Sequence, residues 1–108
     1  MAYSTITKST DYLNTKLYTG TGSSNAVTGV GFQPDWVWIK NRTQTDDHKI
    51  FDAVRGVTKV LKSNTNGAEG TDSNTLTAFG TDGFTVGSDG GVNGSSEPLV
   101  SWNWKANG

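Results

Sequence analysis

An all-β fold is predicted, a single antiparallel jelly-roll-like β-sandwich, from three observations. Glycine, β-branched residues and Asn, Asp or Ser interrupt almost every window long enough for three helical turns. Short runs of β-branched and aromatic residues recur instead. Between them stand turn sequences rich in glycine, among them Thr19-Gly20-Thr21-Gly22, Asn66-Gly67, Asp82-Gly83, Asp89-Gly90-Gly91 and Asn93-Gly94, which supply positive-φ positions. The 108 residues make one domain, 1–108, because folded chains rarely divide below about 150 residues.

The elements follow from the same signals, taken in order. Residues 1–14 read as an N-terminal arm or edge strand, with Ala2–Thr7 extended. Thr15–Thr19 is a strand closed by the Thr-Gly-Thr-Gly run, and Ala26–Gly29 is a short one. Trp36–Asn41 alternates bulky apolar residues on both faces and is expected to be a central strand buried on both sides. Lys49–Ala53 and Lys59–Ser63 are further strands. The polar stretch 64–74 lacks apolar periodicity and is expected to be an exposed loop. Leu76–Phe79 and Phe84–Gly87 flank Asp82-Gly83 as a tight hairpin. Residues 87–94 read as a hairpin tip rather than a phosphate cradle, since no strand is seen to lead through them into a helix. Leu99–Lys105 closes the fold, and residues 107–108 read as the start of a linker.

Composition narrows the function. Apolar residues make up 32% of the chain, rising to about 45% with the 14 glycines, so the core is thin. Four Trp, four Phe and three Tyr compensate, each able to bury roughly 150–250 Å². A formal net charge of -1, with Lys and Arg scattered, implies neither nucleic acid nor a charged membrane surface as a partner. No apolar run is long enough for membrane insertion, and residues 1–11 lack the layout of a signal peptide. The chain has no cysteine and one histidine, which excludes thiol chemistry and argues against a protein-built zinc site. No cofactor is expected.

Two Trp-x-Trp strands carry the aromatic signal. Trp36 and Trp38 share one face of their strand, opposite Val37 and Ile39; Val100, Trp102 and Trp104 share one face of the last, opposite Leu99, Ser101 and Asn103. If the strands are neighbours, the four indoles form a cross-strand ladder. The stronger expectation places that ladder in the core, because a chain poor in aliphatics has little else to bury. The alternative is a stacking platform for sugar rings.

Polar candidates cluster around residues 40–56. His48, Ile50 and Asp52 share a strand face, and Arg55 follows closely. No nucleophile or acid pair stands at a recognisable spacing, so no catalytic residue is assigned. The preferred reading is an Asp52–Arg55 ion pair tying a strand end to the next turn, with His48 satisfied locally. A ligand-contact reading takes Arg42, His48, Asp52 and Arg55. Asp82, Asp89 and Glu97 lie in glycine-rich loops, but the alternating carboxylate pattern of a calcium loop is absent and no metal is assigned. Two glycosylation sequons, at Asn41 and Asn93, carry little weight without a secretory signal.

The ordered set Tyr18-Thr19-Gly20-Thr21-Gly22, Gly29-Val30-Gly31-Phe32-Gln33-Pro34-Asp35-Trp36-Val37-Trp38-Ile39-Lys40-Asn41-Arg42, Phe51-Asp52-Ala53-Val54-Arg55-Gly56, Asp82-Gly83-Phe84-Thr85-Val86-Gly87 and Trp102-Asn103-Trp104-Lys105-Ala106 resembles a module of bacteriophage tail and fibre proteins, frequent in marine and cyanobacterial phages. The resemblance runs from about Thr15 to Ala106. It implies a lectin-like β-sandwich on a virion, often in tandem copies, acting in assembly or host-surface attachment without enzymatic activity. The implied partners are other virion proteins, further copies in a homo-oligomer with a trimer favoured, and a cell-surface glycan. The implied location is the tail or particle surface, after synthesis in the host cytoplasm. The present chain holds one module, so either a receptor-binding tip is expected elsewhere or the module is itself the part that anchors to the particle. A capsid decoration or tail adaptor scaffold, or a carbohydrate-binding module of an enzyme, are the alternatives.

Overall fold

Nine strands form within residues 8–106, the span that the computed structural model describes. They are β1 (Leu13–Thr19), β2 (Asn25–Val27), β3 (Trp36–Asn41), β4 (Lys49–Asp52), β5 (Lys59–Lys62), β6 (Gly70–Thr71), β7 (Leu76–Gly80), β8 (Gly83–Val86) and β9 (Pro98–Trp104). A 3₁₀ turn at Ser9–Asp11 leads into β1, and a one-turn helix, α1 (Gly90–Asn93), lies between β8 and β9. The expected extension Ala2–Thr7 and the linker at 107–108 fall outside the described residues.

All strand pairings are antiparallel, and they build a six-stranded sheet in the order β1-β9-β3-β4-β5-β6 and a three-stranded sheet in the order β2-β8-β7. The fold is therefore a single-domain β-sandwich, as the strand and turn signals predict. β3 lies inside the larger sheet, between β9 and β4, and β1 forms its edge.

Alternation along the strands builds the core. Val37 and Ile39 of β3, Phe51 of β4, Val60 of β5 and Leu99 of β9 turn inward, and they meet Val27, Leu76, Phe84 and Val86 from the smaller sheet. A β-bulge between Leu76 and Ala78 lets both Leu76 and Phe79 reach that core, although three residues of regular strand would send them to opposite faces. Each fully buried side chain of this size contributes about 1.5–3 kcal/mol by leaving water.

Three loop expectations need correction. The turn between β7 and β8 is Thr81-Asp82, with Gly83 already the first residue of β8. Within 64–74, Gly70–Thr71 pairs with Lys59 and Val60 as a short sixth strand, a contact set by the neighbouring strand and invisible to side-chain periodicity. Residues 87–94 are no hairpin tip, because β8 and β9 belong to different sheets. The chain instead crosses between sheets there and coils into α1, whose start is capped by the Asp89 carboxylate accepting from Gly91 N–H at 3.0 Å.

That crossover is pinned by buried polar groups. Asn93 is fully buried; its Oδ1 accepts from Thr21 N–H at 2.9 Å and Asn25 Nδ2 at 3.2 Å, while its Nδ2 donates to the carbonyls of Ser23 at 2.5 Å and Gly87 at 2.9 Å. The Tyr18 hydroxyl donates to Val92 O at 2.6 Å, and burial pushes its phenol well above the ordinary tyrosine range. Gly20 N–H donates to Glu97 O and Gly20 O accepts from Ser96 N–H, both at 2.9 Å, an approach so close that a Cβ on Gly20 would collide with the Gly94 carbonyl.

Candidate functional site

The strand register decides where the tryptophans lie. Trp36 pairs with Trp104 and Trp38 with Trp102 across the β3–β9 boundary. The first row continues to Leu13 on one side and Asp52 on the other; the second continues to Thr15, and through Ile50 to Leu61. A third row joins Leu17, Val100 and Lys40. Because partners in register share a sheet face, these side chains form one surface, opposite the one that carries Val37, Ile39, Phe51 and Leu99.

The indoles form the expected ladder, but on the outside. Trp36 and Trp104 lie with ring centroids 4.2 Å apart at 65°, Trp38 and Trp102 at 5.7 Å and 62°, and Trp36 and Trp38 at 5.8 Å and 79°. All four are only partly buried, which overturns the core reading and the two-sided burial of β3. With one covering sheet available, one apolar face of β3 has to stay uncovered. The compact Val37 and Ile39 fit the gap of about 10 Å between sheets.

The inversion of β9 has its own cause. Its inner face is Leu99, Ser101 and Asn103, all fully buried. Ser101 Oγ donates to Lys16 O at 3.2 Å, and Asn103 Nδ2 donates to Asn14 O at 3.1 Å and Ser101 Oγ at 3.0 Å. Hydrogen bonds to β1 thus make burial of polar residues tolerable where side-chain hydrophobicity alone would exclude it. Asn103 Oδ1 is left without a partner.

His48 stands at the side of the ladder. Its Nδ1 accepts from Trp38 Nε1 at 3.1 Å, with the two rings 5.7 Å apart, and Trp38, His48, Trp102 and Trp104 line a depression of about 350 Å³. Several other polar groups around the face are already engaged. Arg55 N–H and Nε donate to the Asp52 carboxylate at 2.7 and 2.5 Å, and its remaining nitrogens reach Glu69 Oε1 at 3.0 Å and Ile50 O at 3.2 Å. The structural ion pair expected for Asp52 and Arg55 is thus present. Lys40 Nζ donates to the carbonyls of Asn41 at 2.6 Å and Gln44 at 2.8 Å. Arg42 is exposed just beyond β3, at the end opposite the Trp36–Asp52 pair. The four residues of the ligand-contact reading therefore do not converge on one point.

The buried Asn41 serves the fold: its Oδ1 accepts from the N–H groups of Thr43 at 3.0 Å and Gln44 at 3.1 Å, and its Nδ2 donates to Glu97. The three loop carboxylates are likewise held apart. Glu97 meets Asn41, Asp89 pairs with Lys49 Nζ at 2.5 Å, and Asp82 accepts from Gly29 N–H at 2.9 Å and Gly31 N–H at 2.7 Å. Among the described residues no three potential metal ligands gather, and no helix is long and apolar enough to cross a membrane.

Burial alone would raise the Asp52 carboxyl, but the hydrogen bonds and charge of Arg55 outweigh it and hold the group below the usual carboxylate range. The N–H groups of Gly29 and Gly31 do the same for Asp82. A carboxylate lowered on folding stabilises the fold above its unfolded value of about 3.9, and that contribution is lost as pH falls through the folded value. Stability is therefore expected to hold near neutrality and to decline below about pH 4. Denaturant titrations of the D52N/D82N variant should show a shallower acid decline than the parent; parallel profiles would assign the acid sensitivity elsewhere.

Leu13, Leu17 and Leu61 belong to the face and are not among the residues singled out from the sequence, which named Ile50 only as sharing a strand face with His48 and Asp52. Their period-2 spacing within strands is visible there, but strand order is what brings them beside the indoles.

Fold and face together define a class: a β-sandwich module whose larger sheet presents an open aromatic surface. The family described as Domain of unknown function (DUF7483) matches residues 8–108, and the chain belongs to that family. No curated protein and no solved structure matches it.

Proposed function

We propose that this domain is a non-enzymatic structural module of a phage tail or fibre, and that the tryptophan face is its working surface. The observation that carries the reading is the partly exposed ladder of Trp36, Trp38, Trp102 and Trp104, extended by Leu13, Leu17 and Leu61, which are 41%, 55% and 37% exposed. Folded monomers rarely leave a contiguous apolar patch beyond about 300–600 Å² without a use for it. The phage assignment rests on the resemblance of the motifs and takes with it a location on the particle, made in the host cytoplasm, with other virion proteins as partners.

Contact with protein is favoured over sugar by the chemistry of the rim. A sugar site needs polar groups free to fix hydroxyls around the stacking ring. Here the Trp38 N–H is given to His48, the Lys40 ammonium to two carbonyls, and Asp52 and Arg55 to each other. Burial of an apolar face with few free charges suits a subunit contact.

Particles carrying the parent chain or the W38A/W102A variant test this. The parent chain is expected to copurify with particles and the variant to be depleted from them; incorporation independent of both indoles would remove the face from the assignment, and absence of the parent from particles would remove the phage assignment. Host attachment through a cell-surface glycan is the second reading, supported by the depression between His48 and the indoles. Saturable quenching of tryptophan emission by a polysaccharide is its expected sign, and an unchanged spectrum across a glycan panel would sink it.

A further inference from the structure

We infer that the occupant of the tryptophan face is a second copy of the same chain, packed sheet on sheet about a two-fold axis in the plane of contact. The inference rests on the face being the working surface and adds the identity of its partner.

Area is the first ground. From β1 to β5 the face spans five strands at about 4.8 Å, and from Leu13 to Leu17 it runs four residues at about 3.4 Å each; with side-chain margins it measures about 25 by 20 Å. Two such faces would remove about 1,000 Å² from water, the lower limit for a specific interface. A self-pair therefore reaches the threshold without any other surface, at the small end of specific interfaces.

Charge is the second ground. Two identical faces bring like charges together, so self-pairing requires that charge stay off the centre of the face. Asp52 is paired with Arg55, which also meets Glu69; the Lys40 ammonium, near the end of β3, is tied to two backbone carbonyls, and that of Lys59, on the outermost strand of the face, to the Thr71 hydroxyl. The centre of the face is indole and aliphatic side chain, flanked by Thr15 and His48. An aligned sandwich then places four indoles of one copy over four of the other across about 10 Å, reproducing outside the domain the sheet packing already present inside it.

Sedimentation velocity and light scattering of the 108-residue chain, from about 1 to 500 µM, provide the test. The mass is expected to rise from 11.5 kDa toward twice that value with increasing concentration. W102K should weaken the association at least tenfold. So should the L17K/L61K double variant, whose positions are exposed, with an unchanged circular dichroism spectrum that excludes misfolding. V54K, at a position 98% exposed on the β4–β5 turn, should associate like the parent.

A parent that stays monomeric throughout, forms trimers instead, or dimerises equally well with L17K/L61K overturns the inference. If a monomeric chain still needs Trp38 and Trp102 to enter particles, self-pairing falls while the structural-module reading stands; a dimer absent from particles does the reverse.

Discussion

Replacing Asn93 with alanine is expected to lower the unfolding free energy by about 3 kcal/mol, since a fully buried amide would lose all its hydrogen bonds at once. The amide of Asn93 is the common partner of Thr21 N–H, Ser23 O and Gly87 O, which come from two separate loops. Alanine supplies none of these bonds, and the place of the lost amide is fully buried, although Thr21 and Ser23 themselves lie in an exposed loop. Asn93→Asp keeps the acceptor for Thr21 and loses both donors, so it should remain strongly destabilising. Urea denaturation followed by circular dichroism measures the loss. A cost below about 1 kcal/mol would mean that the loops hold their positions without the amide.

The second large effect is a contrast between two aromatic residues. Phe51→Ala should cost about 4 kcal/mol, because Phe51 is fully buried between the sheets and its removal leaves a cavity. Trp102→Ala should cost less, about 2 kcal/mol, since Trp102 is only partly buried and loses that burial and its ladder contact with Trp38. Measured at a concentration where the parent is monomeric, the ordering Phe51 above Trp102 tests which face of the large sheet is the core. The reverse ordering would restore the tryptophans to the interior.

The two substitutions mark where sequence reasoning succeeds and fails. Strands were legible almost throughout, because alternation of β-branched and aromatic residues and glycine-bearing turns are local properties. Seven of the predicted strands overlap β1 to β5, β7 and β8, and the last overlaps β9. The neighbouring positions of β3 and β9 were legible as a possibility in the paired Trp-x-Trp pattern. The Asp52–Arg55 pair was legible because the two residues stand at a turn, three positions apart. β6 was missed because two residues, Gly70 and Thr71, carry no period; they are a strand only because Lys59 and Val60 lie beside them. The crossover at 87–94 was misread because its glycines suit a hairpin and a one-turn helix equally well.

The ladder shows the deeper difference. Alternation assigns Trp102 and Trp104 to one face and Ser101 and Asn103 to the other, and hydrophobicity then points the indoles inward. It cannot register that Asn103 and Ser101 would find partners on β1, at residues 14 and 16, nearly ninety positions away in the chain. Period and turn chemistry were enough to settle an all-β fold, the placing of its strands and the pairing of its aromatic residues into two matching segments. Which face of those segments meets water depended on strand order, on a covering sheet of only three strands and on hydrogen bonds between distant residues, all of which come into being only when the chain closes on itself.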